Sequence, residues 1–158
     1  MQIVYGVEHR ELRGHPPGFI SQFVHKIAST ANIVDRDDRL CIVQSESEYE
    51  ALQALFKEDD LFEEAYALYP LQSPTTTFNK DYGFVSSSNH AYLYKEMAVP
   101  FRMDEGNGEQ TKMAMLQLEE HIVALDDSVN PIIYFADRQQ DDLVKQIASA
   151  YDVSVTLL

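Results

Sequence analysis

The chain has 158 residues, 45% of them hydrophobic, and carries 26 acidic against 12 basic residues, for a formal net charge of −14. We expect one globular domain over residues 1–158, and the negative charge disfavours direct binding to nucleic-acid backbones or to anionic lipid. No apolar run is long enough to span a bilayer, and the single cysteine excludes an internal disulfide, so we expect a soluble, cytoplasmic protein without membrane contact.

The first part of the chain alternates predicted strands and helices. Residues 3–7 are rich in β-branched and aromatic residues, which predicts a strand. Residues 18–31 carry apolar residues at helical spacing, which predicts an amphipathic helix. Residues 39–44 form a short apolar run typical of a buried strand. Ser45 followed by Glu48 is a capping-box pattern, which predicts that a second helix begins there.

The second part of the chain completes the predicted fold. Residues 75–103 predict an antiparallel hairpin or meander, residues 112–127 a third long helix, residues 131–136 a strand, residues 137–152 a helix and residues 153–158 a terminal strand. The order β-α-β-α-β-β-(β)-α-β-α-β predicts an α/β or α+β domain with a mixed central β-sheet and flanking helices. We expect the last two strands to lie side by side or one strand apart.

The loop after the first strand holds candidate residues for a small-molecule site. His9, Glu11 and His15 are candidate catalytic residues if the protein is an enzyme, because a histidine beside a carboxylate can act as a general base. Arg10 and Arg13 are candidate ligands for an anionic group. The alternative is an exposed polar turn. The histidine spacing does not match a helical zinc site, and we expect neither a metal nor a cofactor.

The segment 57–70 combines negative charge with aromatic side chains, and we predict that it continues or restarts the second helix. An acidic face beside aromatic side chains suits a basic protein partner, since charge steers encounter and aromatic residues supply binding energy. A solvated helix whose acids favour its own N-terminus is the alternative. The candidate partner-binding residues are Glu58, Asp59, Asp60, Phe62, Glu63, Glu64 and Tyr66.

The charge and the lack of a catalytic signature favour a protein that acts by binding a basic protein partner, as an inhibitor, an antitoxin-like protein or an adaptor. The competing hypothesis is a small enzyme, or a domain that binds an anionic small molecule, with its pocket near residues 8–19. Nucleic-acid mimicry would need an elongated acidic stripe, and the neutral segment 71–100 argues against one. A homodimer is a further hypothesis, because residues 153–158 could pair across an interface if they form an edge strand.

Overall fold

The computed structural model describes residues 1–72 and 74–158, and the chain divides into two compact units. The N-terminal unit comprises Gln2–Pro70 and Ser86–Ser88, and the C-terminal unit comprises Met1, Leu71–Val85 and Asn89–Leu158. Each unit contains thirteen acidic and six basic residues. Among the described residues, no helix has both the length and the apolar character needed to cross a membrane.

The N-terminal unit is built from four strands and two helices. These are β1 (Val4–His9), α1 (Pro17–Thr30), β2 (Asp35–Asp37), β3 (Leu40–Val43), α2 (Glu46–Glu58) and β4 (Phe62–Leu71), of which all but the last residue of β4 belong to this unit. The strands lie in the order β2-β3-β1-β4, and each neighbouring pair is antiparallel. The predicted cap of α2 is confirmed, since the Ser45 hydroxyl accepts a hydrogen bond from the Glu48 backbone N–H at 3.2 Å.

One face of this sheet and the two helices enclose the core of the N-terminal unit. Alternate strand residues point to the same face, and the helices contribute side chains four residues apart. Burial of these apolar side chains removes them from water and provides the main stabilisation of the unit. The buried residues of the cluster include Val7, Phe23, Ile27, Cys41, Val43, Leu52, Phe56 and Leu61.

The C-terminal unit contains a hairpin, a four-stranded sheet and two helices. Its elements are β5 (Gly83–Val85), β6 (Ala91–Tyr94), β7 (Ala98–Met103), α3 (Gly108–Leu118), β8 (Ile122–Asp126), β9 (Ile133–Asp137), α4 (Asp141–Ala150) and β10 (Val155–Leu157). Strands β5 and β6 pair antiparallel, and the larger sheet has the antiparallel order β10-β7-β9-β8. Strands β9 and β10 are one strand apart, in agreement with the prediction. Asn107 caps α3 by accepting from the Glu109 N–H.

The α+β class is confirmed, but the arrangement of the strands differs from the predicted mixed sheet. All neighbouring strand pairs given above are antiparallel. Two strands that are joined through an α-helix are therefore not neighbours in their sheet. Strand β2, which pairs with β3 across a turn at Asp38, was not predicted. The expectation of one domain stays a prediction.

Two predicted helical segments are wrong in part. The segment 57–70 does not continue the second helix: α2 ends at Glu58, Asp60 adopts a positive φ of 54°, and the chain continues as β4. Likewise, α3 ends at Leu118, and the second half of the predicted helix 112–127 forms β8. In both segments pairing with another strand outweighs the local helical pattern, as is common for short apolar runs.

Candidate functional site

His9, a candidate catalytic residue, is part of the core of the N-terminal unit. His9 as a whole is 7% exposed, and its ring meets the rings of Phe23 and Phe56 edge-on at centroid distances of 5.4 and 5.6 Å. The ring Nδ1 lies 2.8 Å from the Arg10 carbonyl oxygen. Since a carbonyl only accepts, Nδ1 carries the proton in this hydrogen bond. These contacts explain His9 as a packing residue that anchors the end of β1.

The other candidate residues of this loop face solvent. Glu11, Arg13 and His15 are exposed, and the His15 ring stacks on Phe19 at a centroid distance of 4.8 Å. The structure therefore places the two candidate histidines in different environments, one buried and one exposed. The exposed side chains share no enclosed environment with His9. The catalytic roles of His9, Glu11 and His15 and the anion-binding roles of Arg10 and Arg13 stay predictions.

Arg10, which like Arg13 is a candidate for binding an anionic group, already faces carboxylates of this chain. Its guanidinium lies 3.5 Å from an Asp60 carboxylate oxygen and 3.7 Å from a Glu63 carboxylate oxygen. Asp59 has a similar partner, since its carboxylate lies 3.5 Å from Lys26 Nζ. These ion pairs are at or near the surface, so each contributes little stability, but they reduce the local charge of the turn that follows α2.

The acidic and aromatic residues predicted for one helical face are divided between a helix end, a turn and β4. Glu58 is the last residue of α2, and Asp59 and Asp60 form the turn. In β4, Phe62 lies opposite His9, which belongs to the helix-covered face of the sheet. Phe62 accordingly packs against the core, with Lys57 Nζ 4.9 Å from its ring centroid.

Glu64 and Tyr66 point away from the helices. The register of β4 against β1 places Glu64 directly opposite Glu8, and Tyr66 opposite Gly6. The register shifts between Glu8 and His9, so Glu63 is the additional residue of a β-bulge. This bulge separates Phe62 from the face that Glu64 and Tyr66 share.

Carboxylates form a line across the sheet on this second face. Asp37 of β2 lies opposite Leu40 of β3, Leu40 lies opposite Glu8 of β1, and Glu8 lies opposite Glu64 of β4. Residues that lie directly opposite one another in a sheet project to the same side. We define the acidic row as Asp37, Glu8 and Glu64 together with the flanking Asp38 and Glu63.

Two carboxyl groups of the acidic row, those of Glu8 and Asp37, have raised pKa values. Burial raises the pKa of Glu8; Arg39 counteracts this, while Glu63, Asp38 and Glu64 raise it further. Burial also raises the pKa of Asp37, and the carboxylates of Asp38 and Asp35 add to that effect. A raised pKa means that the folded protein disfavours the charged form of these groups.

Only part of this negative charge is balanced. Arg39 lies 3.9 Å from Glu8 and 3.7 Å from Asp38, and Arg10 lies 3.7 Å from Glu63. Within the part of the chain that the structure describes, these two guanidinium groups are the cations within 4.0 Å of the five carboxylates. The acidic row therefore keeps a net negative charge on a rigid backbone.

Sequence reasoning missed Glu8, Asp37 and Asp38 as candidates for partner binding. The acid-rich stretch 35–38 was a usable signal, but the strand register that aligns it with Glu8 and Glu64 cannot be read from composition. Among the described residues, no group of three or more histidine, cysteine, aspartate or glutamate side chains is arranged to hold a metal ion. Comparisons with protein-family models, with curated proteins and with solved structures found no match to the chain.

Proposed function

We propose that the protein acts by binding a basic partner protein, as an inhibitor, an antitoxin-like protein or an adaptor, with the acidic row as the contact surface. The observation that supports this proposal is the alignment of Asp37, Glu8 and Glu64 in one line on three of the four strands, with Leu40 of β3 between Asp37 and Glu8. We place this interaction in the cytoplasm, where reducing conditions suit the buried free thiol of Cys41.

The physical argument is that the negative charge which Arg39 and Arg10 leave unbalanced in the acidic row is destabilising unless a further cation approaches it. Like charges that lie directly opposite in a sheet repel, and the raised pKa of Glu8 is a consequence of its burial and of the neighbouring carboxylates. Lysine or arginine side chains of a partner would relieve this repulsion, and the field of the row would speed their encounter with it.

Tyr66 adds an aromatic side chain to the same face of the sheet, one pair of residues further along β4 than Glu64. Tyrosine combines a large apolar ring with a polar tip, and it is common among the residues that dominate binding energies. Phe62 is assigned a different role, because it packs against the core on the other face. The contact surface thus consists of the acidic row and Tyr66.

The test compares two double variants that remove the same charge. Glu8→Gln/Glu64→Gln alters the acidic row, whereas Glu46→Gln/Glu50→Gln removes two exposed carboxylates from α2 of the same unit. The wild type and both variants are immobilised, incubated with host lysate, washed at rising salt and analysed by mass spectrometry. We expect basic proteins to be retained by the wild type and the α2 variant, and lost from the acidic-row variant.

Two outcomes would contradict the proposal: capture of the same proteins by both variants, or retention that does not weaken as salt rises. A His15→Ala variant adds a control for the competing enzyme hypothesis, since His15 lies outside the acidic row. We expect this variant to retain the same basic proteins as the wild type. Loss of the partner from His15→Ala alone would instead move the contact surface to the loop that precedes α1.

A further inference from the structure

A cavity of about 270 Å³ lies in the C-terminal unit, where β9 ends and the chain turns toward α4. The residues that line it come from three separate parts of that unit, so no single sequence segment indicates it. They are Tyr82, Glu96, Met97, Asp137, Arg138 and Gln139. The cavity shares no residue with the acidic row, whose residues all belong to the N-terminal unit.

The carboxylate of Asp137 is held in a fixed orientation at this cavity. Its Oδ2 accepts a hydrogen bond from the Tyr82 hydroxyl at 2.7 Å, and its Oδ1 accepts one from the Gln139 backbone N–H at 2.8 Å. A carboxylate has about four acceptor positions, so these two donors leave acceptor capacity on both oxygens. The hydrogen bond to Asp137 raises the pKa of Tyr82 above its ordinary value of 10, so the phenol, which is protonated at neutral pH in any case, holds its proton more tightly.

The Tyr82 oxygen can therefore act only as an acceptor toward a ligand, because its proton is engaged by Asp137. The thioether of Met97 is at most a weak acceptor, and Glu96 adds a second carboxylate to the lining. A ligand that satisfies the two carboxylates and the Tyr82 oxygen must supply hydrogen-bond donors, preferably with a positive charge.

The turn that carries Glu96 and Met97 is held in place by Arg138. The Arg138 backbone N–H donates to the Met97 carbonyl oxygen at 2.9 Å. The side chain donates from Nε to the Lys95 carbonyl at 2.8 Å and from a terminal nitrogen to the Ala98 carbonyl at 2.9 Å. These bonds direct the guanidinium toward the backbone of the turn and fix one wall of the cavity before any ligand binds.

We propose that this cavity binds a primary alkylammonium group, either of a small free amine or of a lysine side chain of a partner. Two carboxylates and one guanidinium line the cavity, so a monocation balances their charge. The volume of about 270 Å³ is slightly below the range for pockets of drug-sized ligands, which begins at about 300 Å³, so the cavity suits a small group. Met97, which is 41% exposed, and Tyr82 line the cavity and offer apolar contact for the methylene chain.

The experiment follows the Met97 methyl group by NMR in the full chain labelled with ¹³C-methyl methionine. The signal is assigned by its loss in Met97→Leu, and the wild type is titrated with butylammonium chloride. We expect a saturable shift of this signal, and no saturable shift with 1-butanol, a neutral molecule of similar length. A shift of equal size with 1-butanol would overturn the proposal, because it would show apolar binding without charge recognition.

Variants test the role of the carboxylate. Asp137→Asn is expected to weaken binding by at least about tenfold, because it removes a hydrogen bond to a charged group. Asp142→Asn, an exposed position in the first turn of α4, makes the same charge change away from the cavity and should bind as the wild type does. Should Asp137→Asn fail to fold, Glu96→Gln at the exposed turn provides a second test, with weakened binding expected. Equal affinity in the cavity variant and in Asp142→Asn would overturn the proposal.

A second titration, with Nα-acetyl-lysine methylamide, distinguishes the two sources of the ammonium group. A saturable Met97 shift with this compound supports a lysine side chain of a partner as the occupant. Binding of butylammonium alone supports a free amine, since the backbone flanking a lysine is then excluded. The absence of a saturable shift with both compounds would overturn the assignment of the cavity to an alkylammonium group.

Discussion

Replacing Glu64 by glutamine should stabilise the protein, although it removes a native side chain. Glu64 lies directly opposite Glu8 across β1 and β4, and the Glu8 pKa is raised in part by Glu64 itself. Glutamine keeps the size and shape of the side chain while removing the charge. The variant therefore reports on the repulsion between two strands with little change in packing.

The magnitude follows from the register. Two carboxylates on directly opposed residues, taken as about 6 Å apart, repel by about 0.7 kcal/mol at the dielectric constant of water. The value for water applies because Glu64 is exposed, and it agrees with the range of about 0.2–1 kcal/mol for cross-strand pairs. For a chain of this length, a gain of about 0.7 kcal/mol corresponds to a rise in Tm of about 1–3 °C.

Thermal and urea unfolding at pH 7 measure this gain in 0.05 M and 0.5 M salt, with Glu50→Gln on α2 as the matched control. We expect Glu64→Gln to be stabilised at low salt, the gain to shrink at high salt, and the control to show no comparable change. A Glu64→Gln protein no more stable than Glu50→Gln at low salt would refute the inferred repulsion within the acidic row.

The pH dependence has a defined sign. Because the pKa of Glu8 is raised above its ordinary value of 4.5, the folded protein binds this proton more tightly than the unfolded chain does. The contribution of Glu8 to the free energy of unfolding is therefore fully present below pH 4.5 and is lost as pH rises through the folded pKa. In Glu64→Gln this loss should be smaller, and NMR titration of Glu8 should show a lower pKa.

Three further substitutions test the fold. Phe56→Ala should lower the free energy of unfolding by about 3–5 kcal/mol, measured by urea denaturation, because Phe56 is fully buried; a loss below about 1 kcal/mol would contradict the packing described. Asn107→Ala should cost about 1 kcal/mol in thermal unfolding by removing the cap that accepts from the Glu109 N–H, whereas Asn107→Asp should retain it. Gly83→Ala should disrupt the β5–β6 hairpin, since its Cβ would overlap the Tyr92 carbonyl oxygen; unchanged hydrogen-exchange protection of the hairpin would show that this close approach is absent.

Local signals in the sequence predicted the elements that depend on local chemistry. The capping pattern at Ser45 marks the beginning of α2, and the spacing of Phe23 and Ile27 marks the buried side of α1, because both depend on residues within one helical turn. The predictions that failed depend on distant pairing. Ile122 and Val123 are compatible with a helix and with a strand, and only their pairing with β9 places them in β8.

The candidate site shows the same limit more strongly. The sequence drew attention to the segment 57–70 by its acids and aromatics, and Glu64 and Tyr66 do share a face. Their acidic neighbours Glu8 and Asp37 are distant in sequence, and the register of three strand pairs determines that they meet. A shift of one residue in β4 would turn Glu64 toward the helices and remove it from the acidic row.

The two faces of the N-terminal sheet contribute to the free energy of unfolding with opposite sign and unequal size. On the helix-covered face, truncating a single large side chain such as Phe56 to alanine costs about 3–5 kcal/mol, whereas a cross-strand repulsion such as that between Glu8 and Glu64 costs about 0.2–1 kcal/mol. The core therefore holds the carboxylates in register even though they repel. Because their backbone is already fixed by the ladders of β1 and β4, a basic partner would not have to order these strands before it gains their attraction. Preorganised charge of this kind lowers the entropic cost of binding, and so the proposed contact surface benefits from the same rigidity that makes it unfavourable in the free protein.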